Sequence, residues 1–285
     1  MPADYTLDKQ LYEANLSVSR AFYGNPVSLG FTLIDDNQPG DLTLLYQQRK
    51  AAGPFLSASY NGIEATPYTG PRRAFVLSSA LALYPQAWST AQTTFLDAGA
   101  EIVGVTPLPL SRRHTLTLDL RGRDLFNLPP GARWLQVGGG LSALALSRRP
   151  NLGVPPEVEI PSLPDQITFF EPLLGYEDYP IATDRIAIAE VVYTYPFIID
   201  WGTASTLALL PALFVRQIDL QLFAAAATPG RSDVVTGRLD LHAAVGGALS
   251  LRTALWVVPL SLTYQIARRL EDDQALVQLL LLTAN

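Results

Sequence analysis

Apolar and polar side chains alternate with a period of two along most of the chain, and this alternation constrains the fold more than any other feature. Residues 239–252, "LDLHAAVGGALSLR", are a long example. Their odd positions are almost all apolar, while their even positions are small, polar or charged. Because successive side chains of an extended strand point to opposite faces, the stretch predicts one β-strand with an apolar face and a polar face.

The same alternation recurs from residues 27–33 to residues 275–282, and helical periodicity is nearly absent. Turn-forming stretches such as residues 35–41, "DDNQPGD", separate the alternating runs. The sequence therefore predicts an all-β fold of about 12 strands, within a range of about 10–14. The predicted strands include residues 42–48, 54–60, 73–84 and 133–146. No fixed repeat of solenoid or propeller length occurs, so residues 1–285 are predicted to form a single domain.

The alternation is interrupted at residues 150–180, which carry seven prolines. Loops of this length inside a compact domain are commonly functional. The segment is predicted to be one long Pro-rich loop, which either folds into the mouth of the domain or reaches out from it as a binding surface.

Two classes of β protein fit this pattern, a closed transmembrane barrel and a soluble sandwich or calyx. Several alternating runs last 12 or more residues, whereas strands of soluble proteins centre on about 5–6 and a strand crossing a bilayer needs about 9–11. Only 16% of the residues are charged, against about 25% in typical soluble domains. These features favour a closed antiparallel transmembrane β-barrel. The soluble alternative would bind an apolar ligand, and its apolar strand faces would point inward rather than outward.

The barrel interpretation assigns each alternating side chain to a face. The predicted lipid-facing residues are Leu116, Leu118, Leu120, Leu220, Leu222, Leu239, Leu241, Leu249 and Leu251. The predicted lumen-facing residues are Asp119, Arg121, Glu190, Gln217, Asp219, Gln221, Asp240, His242 and Arg252. Aromatic residues near strand ends are predicted to form girdles at the membrane interfaces: Trp88, Trp134, Tyr193, Tyr195, Trp201, Trp256 and Tyr264.

The C-terminal part of the chain, residues 170–283, resembles a known family. Residues 173–197, "LLGYEDYPIATDRIAIAEVVYTYPF", look like the Arg-Gly-Tyr loop and following strand of bacterial surface-antigen barrels. The later stretches "IDLQLFAAAAT" and "LHAAVGGALSLRTALWVVPLSLTYQIARRL" are similar to the next strands of that family, and to the barrel that follows TolB-like propeller repeats. Leu174 stands where the family has its loop arginine, and Ala225 stands roughly where it has an aspartate.

The resemblance implies a non-enzymatic protein of the Gram-negative cell envelope, located in the outer membrane. Such a barrel would serve as a membrane anchor, a porin-like pore, or both. Its expected partners are the lipid bilayer, a soluble domain preceding the barrel, and a permeant that the sequence does not identify. The chain is accordingly expected to be the C-terminal part of a longer exported protein.

The residue types that carry chemistry are sparse. The chain has no cysteine and only two histidines, His114 and His242, both predicted on the polar side of strands without metal-ligand spacing. Ser250 lies eight residues after His242, too far along one strand for a hydrogen bond. The sequence therefore predicts no catalytic residues, no metal and no cofactor. The net charge of −6 gives no support for a basic surface that would bind nucleic acid.

Overall fold

The computed structural model describes residues 10–23, 25–37, 49–66, 70–109, 114–129, 132–138, 170–176, 181–203, 213–230, 241–255, 258–271 and 276–284. In these ranges the chain forms β-strands and one short 3₁₀ turn, Gln86–Trp88. No helix in the described part of the chain is long and apolar enough to cross a membrane. The predicted all-β class is confirmed.

Eleven strands form one large antiparallel sheet in the order β1-β2-β3-β4-β5-β6-β10-β11-β12-β13-β14. Their bounds are β1 Gln10–Phe22, β2 Asn25–Asn37, β3 Arg49–Thr66, β4 Gly70–Tyr84, β5 Phe95–Pro107, β6 Thr115–Phe126, β10 Arg185–Thr203, β11 Leu213–Pro229, β12 His242–Leu255, β13 Val258–Arg269 and β14 Leu276–Ala284. Three short strands, β7 Leu135–Val137, β8 Phe170–Glu171 and β9 Ile181–Thr183, form a second sheet in the order β8-β7-β9.

The strands of the large sheet pair as a meander in which each neighbour along the chain is also a neighbour in space. The single exception among the described strands is β6, which pairs with β10, with Arg121 opposite Ile188. The predicted strands 54–60 and 73–84 lie within the longer β3 and β4, while the predicted strand 42–48 falls outside the described residues. Within the described residues, no pairing joins the edge strands β1 and β14.

The two ends of the large sheet differ in their connections. At one end, which we call the short-turn end, the strands are joined through residues 23–24, 67–69, 108–114, 204–212 and 256–257. At the opposite end, the loop end, the hairpin connections are longer on the whole and comprise residues 38–48, 85–94, 230–241 and 270–275. The connection from β6 to β10, which contains the second sheet, also leaves from the loop end.

The predicted strand over residues 133–146 is not part of the large sheet. Only Leu135–Val137 is extended in the described residues, it belongs to the second sheet, and all three of its side chains are buried. The alternation of this stretch therefore does not reflect one lipid-facing and one lumen-facing side. Residues 139–146 lie outside the described part of the chain.

The hydrophobic core lies at the loop end, between the large sheet and the second sheet. Phe95 stacks on Tyr84 with ring centroids 4.8 Å apart and meets the edge of Trp134 at 5.3 Å. From the other side of the sheet, the Cα of Gly175 lies so close to β12 and β13 that an added Cβ would stand 2.6 Å from the Cβ of Ala244. The large sheet is thus curved around the second sheet, since strands far apart in its order contact the same insertion.

Candidate functional site

The large sheet has an inner face, against which the second sheet packs, and an outer face that is apolar and exposed. Leu222 and Leu241 are each 52% exposed, and Leu16 and Val18 on β1 are about 80% exposed. Of the predicted lipid-facing residues, the following are exposed on this outer face: Leu118, Leu120, Leu220, Leu222, Leu241 and Leu249. Leu116 and Leu251 are half-buried, and Leu239 lies outside the described residues. A soluble domain rarely exposes a contiguous apolar surface of this extent.

Aromatic side chains stand near both ends of the outer face. At the short-turn end the exposed rings are Phe22, Tyr23, Tyr60, Phe75 and Phe197, and at the loop end they are Trp88 and Phe126. Trp88 meets the edge of Phe31, with ring centroids 5.6 Å apart. In the girdles of membrane barrels, amphipathic rings sit between hydrocarbon and water, and Tyr23, Tyr60 and Trp88 are rings of that kind.

The predicted girdle residues occupy several different positions. Trp88 follows the end of β4, whereas Tyr193 and Tyr195 lie near the middle of β10 and Tyr264 lies in the middle of β13 opposite Leu249. The prediction is wrong for Trp134, which is only 3% exposed and packs in the core against Phe95. The next residues form β7 of the second sheet, inside the large sheet. Trp134 is therefore not at the end of a strand of the large sheet, as a girdle position would require. The side chain of Trp201 and the whole of Trp256 lie outside the described residues.

The inner face is largely buried and mixed, with core residues such as Phe55 and Ile188 beside buried polar side chains. Of the predicted lumen-facing residues, four are buried: Asp119, Glu190, Gln217 and Asp219. Arg121, Gln221, His242 and Arg252 are half-buried, and Asp240 lies outside the described residues. In β12 the even positions Ala244, Ala248 and Ser250 are buried while Val245 and Leu249 are exposed, so the small residues line the inner side.

The most extensive polar cluster is a set of six charged side chains on the inner face, which we call the arginine network: Asp97, Asp119, Arg121, Arg123, Glu171 and Glu190. Arg123 donates to both carboxylate oxygens of Asp97, at 2.8 and 2.5 Å, and to Oε1 of Glu171 at 3.1 Å. Arg121 pairs with Glu190 at 2.8 Å and with Asp119 at 3.3 Å. Since all these groups are buried or nearly so, the pairing offsets the large cost of removing charge from water.

The arginine network holds residues 170–176, which we call the inserted segment, against the inner face of the large sheet. Glu171 reaches Arg123, and the carbonyl of Pro172 accepts a bond from Arg121 at 2.9 Å. The backbone N–H of Leu174 donates to Glu190 at 3.0 Å. The described part of the predicted Pro-rich loop is therefore folded inward, in agreement with the first of its two predicted arrangements.

Tyr176 fixes the far end of the inserted segment to β12 and to the turn after β13. Its hydroxyl donates to Oε1 of Glu271 at 2.6 Å, and its ring lies 5.6 Å beneath the guanidinium of Arg269. Burial raises the pKa of the Tyr176 hydroxyl, and the hydrogen bond to Glu271 and its negative charge raise this pKa further. His242 pairs with the other carboxylate oxygen of Glu271 at 2.6 Å.

A second polar cluster lies on β11, β12 and β13, towards the short-turn end. Asp219 is fully buried and pairs with Arg252 at 3.2 Å, while Gln217 donates to Asp219 at 2.5 Å. The hydroxyls of Ser250 and Thr263 share a hydrogen bond of 3.0 Å. Ser250 therefore has Thr263 as its partner rather than His242, and the two residues do not form a catalytic pair.

The sequence predicted half of the arginine network, namely Asp119, Arg121 and Glu190, and assigned His114 to the wrong side. His114 has the parity of Leu116 in β6 and contacts Tyr193 on the outer face, so its predicted position on the polar side is wrong. Arg123 and Asp97 share the inner parity of Arg121 and Asp119, and strict alternation could have found them. Glu171 carried no such signal because its segment is not a strand of the wall.

The described residues offer no group of three or more His, Cys, Asp or Glu side chains that could hold a metal ion. No protein-family model matches the chain. No curated protein matches its sequence either. The functional argument therefore depends on the two faces of the sheet and on the contacts of the inserted segment.

Proposed function

We propose that the chain is a non-enzymatic β-barrel of the bacterial outer membrane that serves as a membrane anchor with an obstructed pore. The observation that carries the proposal is the direction of the two faces. Large apolar side chains such as Leu118, Leu222 and Leu249 are exposed on the outside, while Asp219, Gln217 and Glu190 are buried inside. This is the reverse of a soluble calyx, and it is the arrangement that lipid requires.

Closure of the sheet is part of the proposal. In hydrocarbon every backbone N–H and C=O group needs a partner, so a membrane sheet has no free edge. The eleven strands alternate in direction, which means that β1 and β14 run the same way. One further strand between them would close an all-antiparallel barrel of 12 strands, the even number typical of bacterial outer-membrane barrels.

The inserted segment favours the anchor role over a wide pore. Glu171, Leu174 and Tyr176 attach it to β6, β10 and the turn after β13, so it crosses the interior at the loop end. In the orientation common to outer-membrane barrels, short turns face the periplasm and longer loops face outward. The obstruction would then lie on the outer side, consistent with the resemblance of residues 170–283 to surface-antigen barrels.

A pair of labelled variants tests the proposal. The chain has no cysteine, so Leu222→Cys on the outer face and Gln221→Cys on the inner face each carry one environment-sensitive fluorophore. After refolding into vesicles, brominated acyl chains should quench the label at position 222 and leave the label at 221 bright. The same samples should float with the vesicles and show heat-dependent migration in detergent gels.

The soluble alternative makes the opposite prediction for the same experiment. A calyx with an apolar cavity would fold as a monomer in detergent-free buffer and stay with the lipid-free fraction. Either of these results, or equal quenching at the two positions, would contradict the membrane proposal.

A further inference from the structure

The outer face carries a polar cluster that the proposed function leaves unexplained. At the short-turn end of β6, beside β10, four side chains form what we call the His114 cluster: His114, Tyr193, Tyr195 and Phe197. Nδ1 of His114 and the hydroxyl of Tyr193 share a hydrogen bond. The imidazole also stacks on the ring of Tyr195, with centroids 4.5 Å apart and the rings inclined by 30°.

The cluster lies where β6 begins, since His114 directly precedes Thr115, while Tyr193 and Tyr195 stand near the middle of the longer β10. Tyr193 is opposite Leu116 and Leu222, and Tyr195 is opposite Leu220, so these rings continue the outer face towards the short-turn end. Phe197 follows on the same side of β10, with its ring centroid 6.5 Å from that of Tyr195, and is 43% exposed. Polar atoms on a lipid-facing surface are stable only where the surface leaves the hydrocarbon. On this ground, and because His114 directly precedes the first residue of β6, we assign the His114 cluster to headgroup depth.

In either tautomer of His114, one of the two polar hydrogens of the pair is not used in the shared hydrogen bond. A neutral imidazole has one N–H, and the tyrosine has one O–H. If the hydroxyl of Tyr193 donates to Nδ1, then Nε2 of His114 carries a free N–H. If Nδ1 donates instead, the hydroxyl proton of Tyr193 is free. Within the described part of the chain, no second hydrogen bond of either side chain competes for that proton.

We propose that the His114 cluster binds the phosphate group of a glycerophospholipid in the leaflet at the short-turn end. The inference rests on the proposed function, because only a membrane barrel brings this surface to a headgroup. Phosphate oxygens are the strongest hydrogen-bond acceptors at that depth, since a bond to an ionised acceptor is stronger than a bond to a neutral one. The stacked ring of Tyr195 holds the imidazole in place, so the remaining donor is oriented before the lipid arrives.

Solid-state NMR of the refolded chain in vesicles of phosphatidylethanolamine and phosphatidylglycerol tests the inference. With ¹⁵N-labelled histidine the chain gives signals from His114 and His242 only. His242 lies on the inner side beside Glu271 and is an internal control. Nitrogen–phosphorus dipolar dephasing should attenuate the His114 signal and leave the His242 signal intact.

A pair of tyrosine variants sharpens the measurement. Tyr193→Phe removes the shared hydrogen bond and should reduce the dephasing of His114. Tyr264→Phe, a matched change on the same outer face, should leave it unaltered. Equal dephasing of both histidines, or no dephasing of His114 in vesicles that the chain has entered, would overturn the inference.

Two further arms separate the possible causes of failure. If the chain does not float with the vesicles, the proposed function fails as well, whereas a floating chain without dephasing contradicts only the phosphate site. In phosphorus-free detergent micelles, added inorganic phosphate should cause no dephasing. Dephasing there as strong as in vesicles would show a site for free phosphate and would overturn the assignment to lipid.

Discussion

The loop-end half and the short-turn half of the inner face are built in different ways. At the loop end, Tyr84, Phe95 and Trp134 pack together beside the arginine network, and the inserted segment fills the space between opposite walls. Towards the short-turn end, the inner side chains of β11–β13 include hydroxyls, amides and the pair of Asp219 with Arg252, while β5 contributes buried Val103 and Val105. One half therefore has the dense packing of a soluble core, while the other has the small polar lining of a barrel lumen.

The comparison shows that charge is held differently in the two halves. Arg123 has two carboxylate partners and contacts both the wall and the inserted segment. Arg252 has one carboxylate partner, and its Nη1 atom has no hydrogen-bond partner among the described residues. We expect the loop-end half to be rigid and dry, and the short-turn half to depend on water for the remaining hydrogen bonds.

The largest expected effect comes from breaking the arginine network. Arg123→Ala leaves Asp97 buried without a cation and Glu171 with only the longer 3.9 Å contact to Arg121, and removal of one partner from a buried pair costs about 3–5 kcal/mol. Urea unfolding in vesicles, followed by gel migration, measures the loss. The control is Arg20→Ala on the exposed surface of β1, where a change of less than about 0.5 kcal/mol is expected. Similar losses in the two variants would contradict the role of the network.

The next largest effect is expected at Gly175, where φ is +85°. Gly175→Ala combines a strained backbone with a Cβ that would stand 2.6 Å from Ala244 and 3.2 Å from Ala267. We expect a loss of about 2–3 kcal/mol in the free energy of unfolding. Gly104→Ala is the matched control, because an added Cβ there meets nothing within 4 Å. If both alanines are tolerated alike, the inserted segment is not packed as tightly as described.

In the short-turn half, the equivalent removal of a cation should cost less. Arg252→Ala leaves Asp219 without its ion pair, but Gln217 still donates to that carboxylate at 2.5 Å and water can replace the guanidinium. We expect a loss of about 1–2 kcal/mol, clearly below that of Arg123→Ala, in the same urea titration. A loss equal to that of Arg123→Ala would mean that the two halves do not differ in hydration.

The smallest effect is an alkaline loss of stability at the inserted segment. The pKa of Tyr176 in the folded state is raised above its usual value, so the folded chain keeps this proton at a pH where the unfolded chain has released it. Stability is therefore full below about pH 10 and falls as the pH rises beyond it, by about 1.4 kcal/mol per pH unit for this group. In Tyr176→Phe this part of the slope should disappear, and an unchanged slope between pH 10 and 11 would contradict the assignment.

The sequence predicted the wall of the large sheet better than its interior. In β12 the alternation separated exposed Leu249 from buried Ser250, because strand parity is a local property that one stretch of sequence carries. The alternation of residues 133–146 also predicts a strand of the large sheet, and Trp134 near its start is therefore predicted in a girdle, although β7 lies inside the sheet. Glu171 and Tyr176 could not be found from the sequence, because their partners on β6, β12 and the turn after β13 are brought to them only by the tertiary fold.

The pairing of β6 with β10 has a consequence for how the molecule assembles. All the remaining neighbouring strands of the large sheet are paired as hairpins. A hairpin forms from residues close along the chain and closes with little loss of entropy. The pairing of β6 with β10 brings together strands separated by residues 127–184, and Arg121 on one side of it pairs with Glu190 on the other. The two groups of hairpins, β1–β6 and β10–β14, can form independently. We therefore expect the slow step of folding to be the pairing of β6 with β10, with the inserted segment already bound between the two groups.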